Sequence, residues 1–305
     1  MQTKPQMFPV MLTPFTEAGE VDYAALEALI DFYEQGGADG LFAVCQSSEI
    51  FYLSLEERVK IASFVKRHAH VPVVASGHVS WGMNAQIGEL QAIADTGIDA
   101  LILITNRLCT QTDGEDVFMR SLEKLLSALD PKLPLGFYEC PVPYKRLIGL
   151  KELAFAAGTG RFRFMKDTCC DINIIRQRLA VLEGSPMRLY NANTATLLKS
   201  LQSGAAGYSG VMASFHPEMY AYLLKNFETE PEKCARLQAL LSLCALIERQ
   251  YYPVNAKYHL SHIKHLPMTI LSRTQNPEGL SETFRDEVRQ MDLLVEAFKR
   301  AEGIL

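Results

Sequence analysis

The chain has 305 residues, 48% of them apolar and 21% charged, with a formal net charge of −5. A mildly acidic chain of this make-up lacks the basic surface that nucleic-acid binding needs. No apolar run reaches the length of about 18 residues that a membrane-spanning helix requires, and the opening MQTKPQM lacks the apolar stretch of a secretory leader. The seven cysteines are an odd number with no C-x-x-C pair, which speaks against zinc and against a disulfide framework and fits a reducing cytoplasm.

Short apolar runs alternate with amphipathic stretches along the first two-thirds of the chain. Phe8–Leu12 reads as the first strand, and Tyr23–Gln35 carries apolar residues at helical spacing until Gly36-Gly37 stops it. GLFAVC, residues 40–45, is the second strand. Ser54 with Glu57 three positions later forms a capping box for a helix that runs to about His68.

The alternation continues with strands over 71–76, 100–105, 133–138, 161–166, 187–191 and 207–212. Helices are expected over 84–96, 116–129, 151–157, 173–182 and 194–202. Eight strand–helix units predict an α/β (β/α)8 TIM barrel over residues 1–225. No G-x-G-x-x-G follows any strand, which weakens the rival reading, a doubly wound nucleotide-binding sheet. Residues 226–305 read as a C-terminal helical extension, including helices over 231–250 and 281–301.

Reactive side chains of such barrels stand at the C-terminal ends of strands. In the sixth run, RFRFMK, Phe162, Phe164 and Lys166 fall on one face by the two-residue period, so inward phenylalanines would bring Lys166 to the mouth. Desolvation there favours the neutral amine, a nucleophile toward ketones. A solvated lysine that merely closes the strand is the plainer alternative. The fifth run, PLGFY, puts Pro134, Gly136 and Tyr138 on one face, and a phenol at that position can move protons; a rim tyrosine with a wet hydroxyl is the alternative. After the second strand, Gln46, Ser47 and Ser48 form a short polar turn suited to holding a carboxylate, or simply to capping the next helix.

Thr13-Pro14-Phe15, the turn before Glu49, Leu53-Ser54-Leu55-Glu56-Glu57-Arg58, Tyr138 with Pro141, and Met165-Lys166-Asp167 occur in that order. Together they resemble the dihydrodipicolinate synthase / N-acetylneuraminate lyase family from about Met7 to Pro217. The resemblance implies a barrel with a C-terminal helical extension and a class I, Schiff-base mechanism on pyruvate or another 2-oxo acid. It makes Lys166 the imine-forming residue and Tyr138 the proton relay, with no metal and no organic cofactor. It also implies a cytoplasmic homotetramer, a dimer of dimers, or else a homodimer.

The family's usual carboxylate loop, G-T/S-T-G-E, reads Cys45-Gln46-Ser47-Ser48-Glu49 here, so Gln46 replaces the relay threonine. The tyrosine that dihydrodipicolinate synthases carry after strand four is missing from Thr105-Asn106-Arg107-Leu108. Their arginine five residues beyond the strand-five tyrosine is Pro143 here. An authentic dihydrodipicolinate synthase is therefore not expected. Arg107, Lys145 and Arg146 are the candidates for an acidic tail of the second substrate, and Asn191 and Ser209, at the ends of strands seven and eight, for lining the pocket. A 2-keto-3-deoxy sugar acid dehydratase and a non-catalytic 2-oxo acid binder stay open. His259, His262 and His265 stand three apart but lack a carboxylate at metal-site spacing, and no metal is expected.

Overall fold

The computed structural model describes residues 4–304. Eight short parallel strands run β1 (Gln6–Met7), β2 (Leu41–Phe42), β3 (Val73–Ser76), β4 (Ala100–Ile104), β5 (Leu135–Tyr138), β6 (Phe162–Asp167), β7 (Arg188–Asn191) and β8 (Gly207–Tyr208). They are ordered β1-β8-β7-β6-β5-β4-β3-β2. A parallel bridge from Val10 to Phe42 joins the chain after β1 to β2, so the sheet curls round on itself. At the β8–β1 seam the backbones touch closely: a Cβ on Gly207, whose φ is +145°, would lie 1.8 Å from the Gln6 carbonyl oxygen.

The helices are α1 (Tyr23–Gln35), α2 (Leu55–His68), α3 (Met83–Ala94), α4 (Thr105–Leu108), α5 (Glu115–Ala128), α6 (Leu150–Gly158), α7 (Ile172–Val181), α8 (Leu197–Gln202), α9 (Pro217–Asn226), α10 (Pro231–Cys244), α11 (Val254–Tyr258) and α12 (Glu282–Glu302). The capping box on α2 is present: Glu57 N–H donates to Ser54 Oγ at 3.1 Å and Ser54 N–H to the Glu57 carboxylate at 2.8 Å. No helix is long and apolar enough to cross a membrane.

Inside the barrel, Phe8, Phe42, Phe164 and Tyr190 form an aromatic floor. The Phe164 and Tyr190 rings stack at 4.5 Å, and Phe8 meets both edge-on. Gly136 keeps this layer narrow, because a Cβ there would come within 2.5 Å of Ile102 Cδ1. Several expectations need correction: the first strand is Gln6–Met7, with only an isolated bridge at Val10 in the expected run 8–12, and the run 207–212 is strand only at Gly207–Tyr208 before a 3-10 turn at Val211–Ser214. The even spacing of Phe162, Phe164 and Lys166 does not put all three on one face. The β5–β6 register slips between Leu135 and Gly136, so Phe162 pairs with Leu135 but Phe164 with Gly136. Phe162 instead stacks on Phe137 at 4.4 Å, and Phe137 meets Phe118 of α5 outside the barrel. Thr105, expected to end a strand, begins α4. The helix expected over 231–250 stops at Cys244, and a tighter 3-10 turn follows over Ala245–Arg249.

Candidate active site

Past the slip, alternation along β5 and β6 sets the site. Tyr138 and Lys166 are register partners pointing inward, above Phe164. Lys166 is 4% exposed, and its Nζ lies 4.6 Å from the centre of the Tyr138 ring and 5.8 Å from that of Phe42. Burial among these rings holds the ammonium below its usual range, with Cys45, Cys140 and Glu248 pulling the other way. Burial holds the Tyr138 phenol well above its ordinary range, so it stays a proton donor. Its hydroxyl donates to Gln46 Oε1 at 3.4 Å. Gln46 thus reaches the phenol from the turn that follows β2.

The next residues, Glu139 and Asp167, face outward, and one arginine from α7 clamps both. Arg178 Nη2 lies 2.6 Å from Glu139 Oε1, and Nη1 donates to Glu139 Oε2 at 3.1 Å and to Asp167 Oδ2. The carboxylates also accept from backbone: Glu139 from Ile148 and Thr168, Asp167 from Cys169. All three side chains are buried. This outer network fixes the peptides on which the inner pair stands.

The β2 turn divides its labour unlike the expectation. Ser48 is not a carboxylate anchor. Its hydroxyl donates to Met11 O at 2.7 Å and contacts Ala43 O, it accepts from Cys45 N–H at 3.1 Å, and its own N–H donates to Cys45 O. Ser47, 5% exposed, has neither group committed to a protein carbonyl among the described residues. Accordingly, Ser48→Ala is expected to cost about 1–3 kcal/mol of stability in denaturant titrations, since it strands buried partners. Ser47→Ala should leave stability within about 0.5 kcal/mol.

Glu49, with φ +62°, turns its carboxylate into the protein. It pairs with Lys257 Nζ at 2.8 Å and accepts from Ser272 Oγ, Arg273 N–H and Thr274 N–H at 2.6–2.9 Å. The C-terminal extension therefore holds the turn in place.

Other expectations divide in the same way. Asn191 ends β7 but is paired with outward Asp167. Its amide donates to Thr196 and Ser200, and its oxygen accepts from Asn193 N–H, so it faces α8 rather than the pocket. Tyr208 turns outward onto Tyr220, which puts Ser209 on the inner side, buried with an unpartnered hydroxyl. Arg146 is neutralised by Glu152 at 2.5 and 3.0 Å. Lys145 is exposed at the rim, its ammonium on Thr168 O at 2.8 Å. Arg107 is buried between aromatic rings. The three histidines do not converge: His262 and His265 are exposed, whereas His259 packs against His216 and its Nε2–H donates to Asp292 Oδ1 at 3.0 Å. Lys264 already neutralises Asp292 at 2.8 Å.

A profile of the dihydrodipicolinate synthetase family matches residues 4–277. The chain belongs to that family. It is 25% identical over 266 residues to an uncharacterized DapA-like lyase of Chloroflexus aurantiacus, covering 86% of this chain and 87% of the relative. It is 23% identical over 292 residues to the 4-hydroxy-tetrahydrodipicolinate synthase of Porphyromonas gingivalis, covering 92% and 96%. Among solved structures, it superposes with a TM-score of 0.84 on YagE, a prophage protein of the dihydrodipicolinic acid synthase family from E. coli K12 in complex with pyruvate. That match has 22% identity and covers 97% of this chain and 98% of the other.

Against this family background, two residues outside the barrel repeat were missed by the sequence reading. Tyr252, just before α11, has a buried hydroxyl without an aligned partner, beside Ser47. Glu248 lies in the 245–249 turn, which packs on the turn at 211–214 that follows β8. Burial pushes its carboxyl up from 4.5 to about 7, with Lys166 opposing. A raised folded-state value stabilises fully below the unfolded value and loses that contribution as pH rises through about 7. Glu248→Gln is therefore expected to leave stability unchanged at about pH 4 and to raise it by on the order of 2 kcal/mol at about pH 8, read from denaturant midpoints.

Proposed function

We propose that this family member is a class I, Schiff-base-dependent lyase or aldolase acting on pyruvate or a pyruvate-derived 2-oxo acid. The observation that carries the reading is a buried lysine amine, with no carboxylate at ion-pair distance among the described residues, set against a phenol held in its protonated form. A pyruvate-bound relative of the same fold agrees with it.

Lys166 Nζ attacks the keto carbon, and the carbinolamine loses its hydroxyl as water when the Tyr138 phenol supplies a proton. The iminium that remains is the electron sink. Loss of a proton, or cleavage of a carbon–carbon bond, next to it leaves an enamine, so cleavage, condensation and dehydration share one intermediate. The reading needs neither metal nor organic cofactor. Gln46 orients the phenol, and the free donors of Ser47 hold the 2-oxo acid carboxylate in line for attack. The substitutions at Gln46 and Pro143 and the missing strand-four tyrosine favour a role other than dihydrodipicolinate synthesis.

The test is borohydride reduction of the protein with pyruvate, followed by peptide mass spectrometry. A reduced pyruvate adduct on Lys166 is expected. No adduct with pyruvate or with larger 2-oxo acids would sink the imine reading and leave a non-catalytic binder in its place.

A further inference from the structure

Six cationic side chains are buried among the described residues: Arg58, Arg107, Arg146, Lys166, Arg178 and Lys257. Four of them have a buried carboxylate partner, at 3.2 Å for Arg58–Glu89, 2.5 Å for Arg146–Glu152, 2.6 Å for Arg178–Glu139 and 2.8 Å for Lys257–Glu49. The two that have none among the described residues are Lys166 and Arg107. Removing a cation from water without an anion is costly, and proteins rarely leave one so without a use for it. For Lys166 the use is the neutral amine. Arginine has no such escape, because its guanidinium does not release a proton in a protein.

Arg107 sits in α4, directly beyond the C-terminal end of β4, at the barrel's active face. It is 6% exposed. Its guanidinium carbon lies 4.2 Å from the Trp81 ring centre and 5.1 Å from that of Phe51. Its Nε is buried without a hydrogen-bond partner, and no donor of the guanidinium reaches a protein acceptor among the described residues. The two rings hold the cation by its π-facing contacts and leave its donors for a flat, two-oxygen acceptor. The site is rigid on its far side: Gln86 donates to Arg107 O at 2.9 Å, and Tyr144, stacked on Trp81, donates to Asn106 O at 3.2 Å. Asn106, next to Arg107, donates to Cys140 O at 2.8 Å, which ties the end of β4 to the backbone two residues past Tyr138.

We infer that Arg107 is the receptor for a second carboxylate on the substrate, so that the enzyme takes dicarboxylic 2-oxo acids, with the keto carbon at Lys166 and the distal carboxylate at Arg107. This rests on the imine reading above. It assigns to the strand-four end the anchoring task that Pro143 cannot perform and that Arg146, already neutralised, does not.

The experiment compares probe pairs of equal chain length with and without the distal carboxylate: oxaloacetate against 2-oxobutyrate, 2-oxoglutarate against 2-oxopentanoate, and 2-oxoadipate against 2-oxohexanoate. Half-saturation of borohydride trapping is measured on the full chain, for the wild type, Arg107→Met and Arg107→Lys. At least one diacid is expected to half-saturate at a roughly 10- to 100-fold lower concentration than its mate, the range of a charge-assisted bidentate contact. Arg107→Met should bring that ratio to about one, and Arg107→Lys, with a point charge in place of the fork, should leave it in between. Adducts without a diacid preference in the wild type would overturn the assignment while leaving the imine reading intact. A preference that survives Arg107→Met, or an Arg107→Met chain that changes only its sedimentation and not the ratio, would overturn it as well, the latter by placing the guanidinium at a subunit contact. Absence of every adduct, pyruvate included, is the separate failure that removes the imine reading itself.

Discussion

Replacing Lys166 with alanine is expected to abolish the borohydride-trapped adduct and to lower turnover on any substrate found by at least about ten-thousand-fold, since a covalent nucleophile has no local substitute. The geometry makes the result specific. Lys166 is the inward partner of Tyr138 and stands on an aromatic floor, so no other buried amine can take its place; Lys257 is tied to Glu49. Lys166→Arg sharpens the test, because it keeps a cation in the site but cannot supply a neutral amine. If Lys166→Arg retained the adduct, the label would lie elsewhere and the assignment of the nucleophile would fail. With wild-type protein, trapping should quicken as pH rises, because attack needs the unprotonated amine, the form that burial favours.

Arg178→Met is the second large effect. It leaves Glu139 and Asp167 buried without their shared cation, and burial already pushes the Glu139 carboxyl up even with Arg178 present. Breaking one side of such a buried network costs about 3–5 kcal/mol, which should appear as a lower midpoint in denaturant unfolding. Adding Glu139→Gln and Asp167→Asn to Arg178→Met removes the stranded charges and should recover a large part of the loss. If the triple variant were no more stable than Arg178→Met alone, lost packing rather than unpaired charge would be the cause. Because Glu139 and Asp167 adjoin Tyr138 and Lys166, the single variant is also expected to slow adduct formation at denaturant-free equilibrium.

The barrel was legible because its signal is repeated: eight apolar runs, each with a helix at 3.6-residue spacing, and stops such as Gly36-Gly37. Lys166 and Tyr138 were legible because each is polar, ends a run and keeps parity with an inward neighbour. Parity was also where the reading went astray. Asn191 ends a run too, but Tyr190 before it is the inward residue, so Asn191 faces α8. Phe162 broke the count because a register slip is a property of two paired strands, invisible in one of them. Ser48 looked like a ligand-binding hydroxyl, yet a tight turn after β2 needs an internal hydrogen-bonding group, and Ser48 fills that need. Tyr252 and Glu248 carried no local signal at all. They lie in an irregular stretch between α10 and α11, and only tertiary folding brings them to the mouth. Arg107 was one of three equal basic candidates in the chain, and what separated them was where each cation came to rest: Arg146 on Glu152, Lys145 exposed on a backbone carbonyl, and Arg107 buried without a partner among the described residues.

The tie between Glu49 and the extension has a mechanical side. Lys257 is 208 residues from Glu49 in the chain, and Ser272 lies 223 away. The turn that carries Ser47 thus cannot swing open on its own hinges; it is latched from the far end of the polypeptide by several donors converging on one carboxylate. Loosening any part of the segment from 257 to 274 would slacken that turn, so the tail of the chain acts as a tensioner for a loop near its head.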